Sequence, residues 1–425
     1  MSKSSVLRMK KNRKGLKQVR QVSDQSVPRA VLDVDARVEM IQALIPLGLE
    51  AVSDELQRAV TALAGERYQR AGGLPGHSRW GFQAGSVYLG DQKVGVKVPR
   101  VRDTNRDREV PLDVYHQLQD SRQTDDLAMR RVLKGLSCRD YESCAQSVPE
   151  TFGLKPSTVS NRFRRATRKH LKQLSERDLN PYDFVAVFLD GKSFAEDQMV
   201  IALGVTIEGY KLPLGFVQTA TENEKVCTRF LRGLVSRGLK ADDGLLFVID
   251  GAKGLRSAVR EAFGDRGVVQ RCTWHKRENV VDYLAKGKKS TYRRELQKAY
   301  EKPTYDQAKK ALKDVRSRLS LLNQSAVGSL DEGFEETLTL HRLGVFEDLG
   351  ASFKTTNCIE NINSLVGQRT NKVDRWVNSD QKHRWLATAL LDIEPRLKRV
   401  TGYKHLPKLR AALKRQLKKG LEQVA

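Results

Sequence analysis

Residues 184–191 read FVAVFLDG and residues 245–251 read LLFVIDG. Each is a short apolar run, rich in β-branched and aromatic residues, that stops at an aspartate followed by glycine. That is the pattern of a buried strand rather than of an amphipathic helix. Between them MVIALGVTI (199–207) and LPLGFVQTA (212–220) read as further strands separated by the turn residues EGY, so 184–220 is expected to form a three-strand meander. Residues 223–238 and GLRSAVREAFG (254–264) read as helices, and VVQRCTWH (268–275) reads as a fifth strand. Strand, strand, strand, helix, strand, helix, strand is the order of a mixed α/β sheet.

Beyond 285 the α/β pattern pauses. Residues 286–350 are polar and helix-rich (YRRELQKAYEK, YDQAKKALKDVRSRLSLL) and broken by Pro303, so they read as an insertion before a compact motif, KTTNCIENINSLV (354–366). Toward the N-terminus, 31–72 is helical in pattern. SVYLGD and KVGVKVPRVR, from Ser86 onward, alternate as a hairpin with Arg100, Arg102 and Arg106 at its exit. Residues 140–174 have the grammar of a helix-turn-helix: a first helix ending near Gly153, then Pro156 where a helix start tolerates a missing N–H. Its second helix would offer Ser157, Thr158, Ser160, Asn161, Arg162, Arg164 and Arg165 to phosphates and base edges. A generic basic surface helix is the competing reading.

Charge is the outlier of the composition. Lys and Arg number 76 against 51 Asp and Glu, a net +25. Such an excess points to a polyanion, because each phosphate neutralised releases a condensed counterion. Nucleic acid comes first and a membrane surface second. Residues 1–20 hold eight basic residues and no acid, the composition of a disordered arm. Residues 396–420 are also basic and acid-free, but Leu406, Leu409, Leu413 and Leu417 recur at helical spacing, so an amphipathic basic helix is expected there. No apolar run approaches the ~18 residues that span a bilayer, and no signal-peptide h-region is present, so an intracellular protein without a membrane partner is expected. The five cysteines are scattered without a C-x-x-C, which argues for reduced thiols.

The chemistry centres on carboxylates. Strand C-termini open into the functional crevice of α/β sheets, and Asp190 and Asp250 both sit there. A single such aspartate can simply cap a turn. Two on adjacent parallel strands repel unless a cation joins them. Glu360 is a third candidate, sharing a helix face with Asn363 and Ser364; since Asn357 would make a good N-cap, a capping box is the alternative for Glu360. Asp, Asp and Glu suit Mg2+ or Mn2+ rather than zinc, and two such ions roughly 4 Å apart activate a water or 3′-hydroxyl in phosphodiester displacement. Cys272 and His275 form a C-x-x-H that would be only half a zinc site, so a structural or DNA-positioning role is expected. Lys192, Lys253, Arg271 and Asn279 are candidate phosphate contacts, with Cys272, His275, Lys276 and Arg277 beside them; plain surface charge is the alternative. GAKGLRS (251–257) lacks the Walker A order, so no ATP or GTP is implied.

DGKSF (190–194), GYKLPLGFVQTATEN (209–223), FLRGLVSRGL (230–239), VIDGAKGL (248–255), QRCTWHKREN (270–279) and TTNCIENINSLV (355–366) together resemble the bacterial Mutator-type transposases. The likeness continues through QRTNKVDRW (368–376) and RWLATALL (384–391). It implies a ribonuclease-H-like core, an all-helical insertion before the third acid, and Asp190, Asp250 and Glu360 as a metal-binding DDE triad. The intervals of 60 and 110 residues fit an inserted domain. The expected plan is a disordered arm at 1–30, a helical and β-hairpin region at 31–120 and a helix-turn-helix domain at 121–180. The core follows at 181–285, the helical insertion at 286–351, the second part of the core at 352–395 and a basic helix at 396–425. The resemblance implies a DNA transposase that binds terminal inverted repeats on double-stranded DNA and catalyses cleavage and strand transfer. Two Mg2+ or Mn2+ ions, a homodimer or larger synaptic assembly, and a cytoplasmic, nucleoid-associated location are expected with it. A structure-selective nuclease and a catalytically silent repressor are the rivals.

Overall fold

The computed structural model describes residues 34–69, 73–89, 92–120, 129–136, 156–194, 196–219 and 223–424, except for the side chains of 34–46, 92 and 420–424. The chain divides into two units, Met1–Phe163 and Arg164–Ala425. The expected basic arm lies outside the described residues, as do the first helix and turn expected at 140–155.

In the first unit, helix α1 (Val34–Ala64) places Val52, Leu56 and Val60 one turn apart in a core with Val87, Val98, Val101 and Leu112. The partner is an antiparallel sheet of β1 (His77–Leu89), β2 (Gln92–Asp103) and β3 (Arg108–Val110), followed by the short α2 (Asp113–Leu118). The ribbon is longer than the expected hairpin from Ser86 onward. A bulge between Arg79 and Phe82, with Gly81 at φ +80, breaks the alternation that marks a strand in sequence. Arg79 ties the ribbon to the end of α1, donating to Gly65 O, Gln57 Oε1 and Thr61 Oγ1 at 3.0, 3.2 and 2.7 Å. Helix α3 (Pro156–Ser175) begins at the expected proline.

The second unit is built on five strands: β4 (Phe184–Phe194), β5 (Asp197–Thr206), β6 (Lys211–Thr219), β7 (Leu245–Ile249) and β8 (Gly267–Arg271). Their spatial order is β6-β5-β4-β7-β8, with the first three antiparallel and β4, β7 and β8 parallel. Helices α4 (Glu224–Ser236) and α5 (Lys253–Phe263) bury Leu231, Leu234, Leu255 and Val259 against Val187, Leu189 and Phe247. Asn223 caps α4, accepting from Lys225 N at 2.9 Å. Phe188 alternates with Val187 and Leu189 and so faces the other side, where it stacks on Phe353.

The helical layer starts earlier than expected. VVQRCTWH is not one strand: β8 ends at Arg271 because its neighbour β7 ends at Ile249, and α6 (Thr273–Asp282) begins at once. Val280 and Val281 of α6 share a core with Leu296 of α7 (Lys286–Tyr300), Leu312 of α8 (Tyr305–Ser320) and Leu330 of α9 (Gln324–Asp331). Short helices α10 (Phe334–Thr337), α11 (Thr339–Arg342) and α12 (Phe346–Phe353) lead to α13 (Asn357–Thr370) and α14 (Ser379–Ile393). The C-terminal helix α15 (Leu406–Val424) docks its expected leucine stripe: Leu406, Leu409 and Leu413 are fully buried. Arg410 donates to Phe184 O at 2.8 Å and Lys414 pairs with Asp243 at 2.9 Å, so that apolar face is already occupied within the unit. Among the described residues no helix is long and apolar enough to cross a membrane.

Candidate active site

β4 and β7 run parallel with Leu189 opposite Ile249, so the next residues, Asp190 and Asp250, stand side by side. β7 stops there. β4 does not: it stays paired with β5 as far as Phe194, so Asp190 lies inside a strand rather than at its end. Asp250 Oδ1 accepts from Ala252 N at 3.0 Å, so one oxygen does cap the turn into α5. Glu360 enters from the first turn of α13.

The capping box weighed as the alternative for Glu360 is absent. Thr356, not Asn357, is the N-cap, and its side chain makes no cap bond. Its hydroxyl instead donates to Glu360 Oε1 at 2.5 Å, and His275 Nδ1 lies 3.3 Å from the same hydroxyl oxygen. One hydroxyl has one proton. Since the short contact to Glu360 takes it, the imidazole N–H donates to Thr356, and a chain runs His275, Thr356, Glu360. Asn363, one turn further along α13, donates from Nδ2 to Asp190 Oδ2 at 2.7 Å. Its own Oδ1 is buried without a partner among the described residues.

Electrostatics couple these groups. Burial first, then the charges of Asp250 and Glu360, pushes the Asp190 carboxyl from 3.8 up to about 7, against the pull of His275 and Asn363. His275 is raised to about 9, first by its hydrogen bond with Cys272 and then by the Cys272, Glu360 and Asp250 charges. Burial opposes ionisation of the Cys272 thiol, but its hydrogen bonds with His275 and the His275 charge outweigh it and hold the thiol below its ordinary value. The result is a cluster of oxygen donors whose mutual repulsion a hard cation would relieve. Among the described residues, no three His, Cys, Asp or Glu side chains stand together closely enough to hold a metal ion.

A pH signature follows. A carboxyl whose folded value is raised stabilises the fold fully below its unfolded value, near 3.8, and that stability is lost as pH rises through about 7. In a chelator, Asp190→Asn should therefore gain on the wild type progressively from pH 4 to 7.5, by up to about 4 kcal/mol. Thermal midpoints measured across that range check it, and parallel curves would contradict it.

The other candidate residues divide by exposure. Arg271 and Lys276, expected to meet phosphate, are 5% and 1% exposed. Arg271 donates to Gly251 O at 2.6 Å and Glu332 O at 2.9 Å; Lys276 Nζ donates to Ser329 O and Glu332 O, both at 2.6 Å. They close carbonyls in the turn after Asp250 and at the end of α9, and burial lowers Lys276 to about 8. Arg277 is engaged with Glu278 and Gln297. Lys192 is half-buried beside Asp190, its ammonium lowered by burial, while Lys253 and Asn279 are exposed. Lys253 lies 3.7 Å from Glu332. On α3, Ser157, Asn161, Arg164 and Arg165 are exposed and Thr158 and Ser160 half-buried, but Arg162 is buried, bonded to Tyr88 Oη at 2.7 Å. Arg162 stands three residues after buried Val159, on the inward face. Arg100 is paired bidentately with Glu109, and Arg102 donates twice to the single oxygen Asp107 Oδ1, each with side-chain surface left exposed. Thr356 and Asn363 are the site residues that sequence reading left without a role. Asn363 was signalled by its spacing from Glu360; Thr356 carried no signal beyond preceding a helix.

Comparison with known proteins agrees with the block resemblance. Residues 16–399 match the family described as transposase, Mutator family. The chain is 25% identical over 352 residues, 80% of its length and 86% of the relative, to the transposase for insertion sequence element IS905 of Lactococcus lactis subsp. lactis (strain IL1403). It is 24% identical to the IS1201 transposase of Lactobacillus helveticus, covering 75% of this chain and 86% of the relative. It is 26% identical to the IS256 transposase in transposon Tn4001 of Staphylococcus aureus, covering 70% and 76%.

Proposed function

The chain belongs to the Mutator family of transposases, and we propose that it binds the terminal inverted repeats of its own element and cuts and joins DNA strands at Asp190, Asp250 and Glu360. The observation that carries this reading is the parallel register that sets Asp190 beside Asp250, with the Glu360 charge reaching both Asp190 and His275. Three antiparallel strands continued by two parallel ones, with β4 central, support a ribonuclease-H-like core whose helical insertion precedes the third acid. The raised Asp190 carboxyl and the unpartnered Asn363 Oδ1 fit an oxygen-ligated divalent cation. Asp190, Asp250 and Glu360 would hold two Mg2+ or Mn2+ ions, which when bound supply activation of a water or 3′-hydroxyl and neutralisation of the leaving oxygen.

The chain's own part is to place and orient those oxygens. Asn363 fixes the rotamer of Asp190, and Thr356 fixes Glu360. The cationic His275 is poised to offset the negative charge that a phosphodiester brings beside the carboxylates. Exposed Ser157, Asn161, Arg164 and Arg165 on α3 suit a helix-turn-helix reading of DNA. Two ends must meet for joining, so a dimer or larger assembly belongs to the same proposal.

A labelled duplex from the flank of the gene, incubated with Mg2+ and target DNA, tests it. Nicking at the element end followed by joining to target is expected. Cutting without joining would leave a nuclease, and binding without cutting a repressor. Thr356→Val keeps the side-chain shape and removes the hydroxyl. It should slow cutting by about 10–100-fold with duplex binding unchanged, the range for a lost orienting partner of a metal ligand. Equal rates would remove Thr356 from the site.

A further inference from the structure

The C-x-x-H element carries a side chain the reading above does not use. Trp274 lies between buried Thr273 and half-buried His275 at the start of α6, yet is 44% exposed. Its ring meets His275 edge-on, centroids 4.8 Å apart at 82°. His275 in turn contacts Thr356 and feels the charges of Glu360 and Asp250, so the indole stands at the rim of the carboxylate cluster.

The mount is rigid. Cys272 N donates to Ile249 O at 2.8 Å, one residue before Asp250. Thr273 donates from both N and Oγ1 to Lys354 O, at 2.9 and 3.1 Å, on the segment leading to Glu360. The elements that bear two of the acids thus clamp the turn that presents Trp274. Asp190, by contrast, is only 7% exposed. Drawing a phosphodiester down to an acid that recessed would bend its strand out of the line of a paired duplex, at a cost in stacking beside it.

We propose that Trp274 stacks on an unpaired nucleobase next to the scissile phosphate, replacing the lost duplex stacking while the strand is held for cutting. The inference rests on the assignment of the cutting site to Asp190, Asp250 and Glu360. Every base has a π-face, so the contact is sequence-tolerant and independent of end recognition.

The test compares wild type, Trp274→Ala and Trp274→Phe on two element-end duplexes, one fully paired and one with the bases opposite the cut removed. Trp274→Ala should cut the paired duplex about 5–150-fold more slowly, with unchanged affinity for DNA and an unchanged thermal midpoint. Trp274→Phe should keep most of the rate. On the pre-opened duplex the Ala defect should shrink, because unpairing no longer opposes the reaction. Equal rates for wild type and Trp274→Ala on paired DNA overturn the proposal, as does a defect of the same size on both duplexes. Should wild type cut neither duplex, the cutting-site assignment falls, and this proposal falls with it.

Discussion

Glu360→Gln is expected to abolish strand cutting and joining, by at least about 10²–10³-fold, while the protein still folds and binds its element end. The change retains length and shape, and the amide oxygen can still accept from the Thr356 hydroxyl that now holds Glu360 at 2.5 Å. What disappears is one negative charge near Asp190, the charge that the proposed divalent cation would take from a third carboxylate. Loss of Glu360's charge should also relieve Asp190, whose raised value it helps to set, and lower His275, whose cationic form it supports. Rates of nicking on the labelled duplex and a parallel binding isotherm decide the matter. A variant that cuts at the wild-type rate but melts earlier would reduce Glu360 to a helix-end residue.

The two aspartates were legible because their signal is local: an apolar β-branched run, an acid, a glycine. Register supplied what local pattern could not. That Asp190 sits mid-strand depends on β5 continuing to Phe194 beside it, a pairing between segments that no single run encodes. Likewise Cys272–His275 reads as strand from its residues, but β8 has no neighbour beyond Ile249, and the chain turns helical for want of a partner. Charge misled in a consistent way. Arg271, Lys276 and Arg162 were read as facing DNA because basic side chains are usually solvated. Instead each folds inward onto carbonyls or a tyrosine. The donors that close helix ends and loops are chosen by tertiary distance, and Lys276 lies 53 and 56 residues from the carbonyls it serves.

Arg271→Ala should destabilise the α/β unit as much as a large core truncation, by about 3–5 kcal/mol. The guanidinium lies between two left-handed glycines, Gly251 at φ +118 and Gly333 at φ +69, and a side chain at either would collide with it. One arm holds Gly251 O in the turn just after Asp250. The other holds Glu332 O at the C-terminal end of α9, which Lys276 shares. Removing the fork leaves Gly251 O without this donor and Glu332 O to Lys276 alone, and opens a void between the strand end and the helix that follows, and both effects destabilise a fold. For a unit of this size the loss corresponds to a fall of about 6–20 °C in the thermal midpoint. Arg271→Lys should recover little of it, since a single ammonium cannot span both carbonyls as a planar fork does. Cutting should fail along with stability because the Asp250 turn loses its anchor. A variant with an unchanged midpoint and a selective loss of DNA affinity would instead return Arg271 to the phosphate-binding role that its charge first suggested.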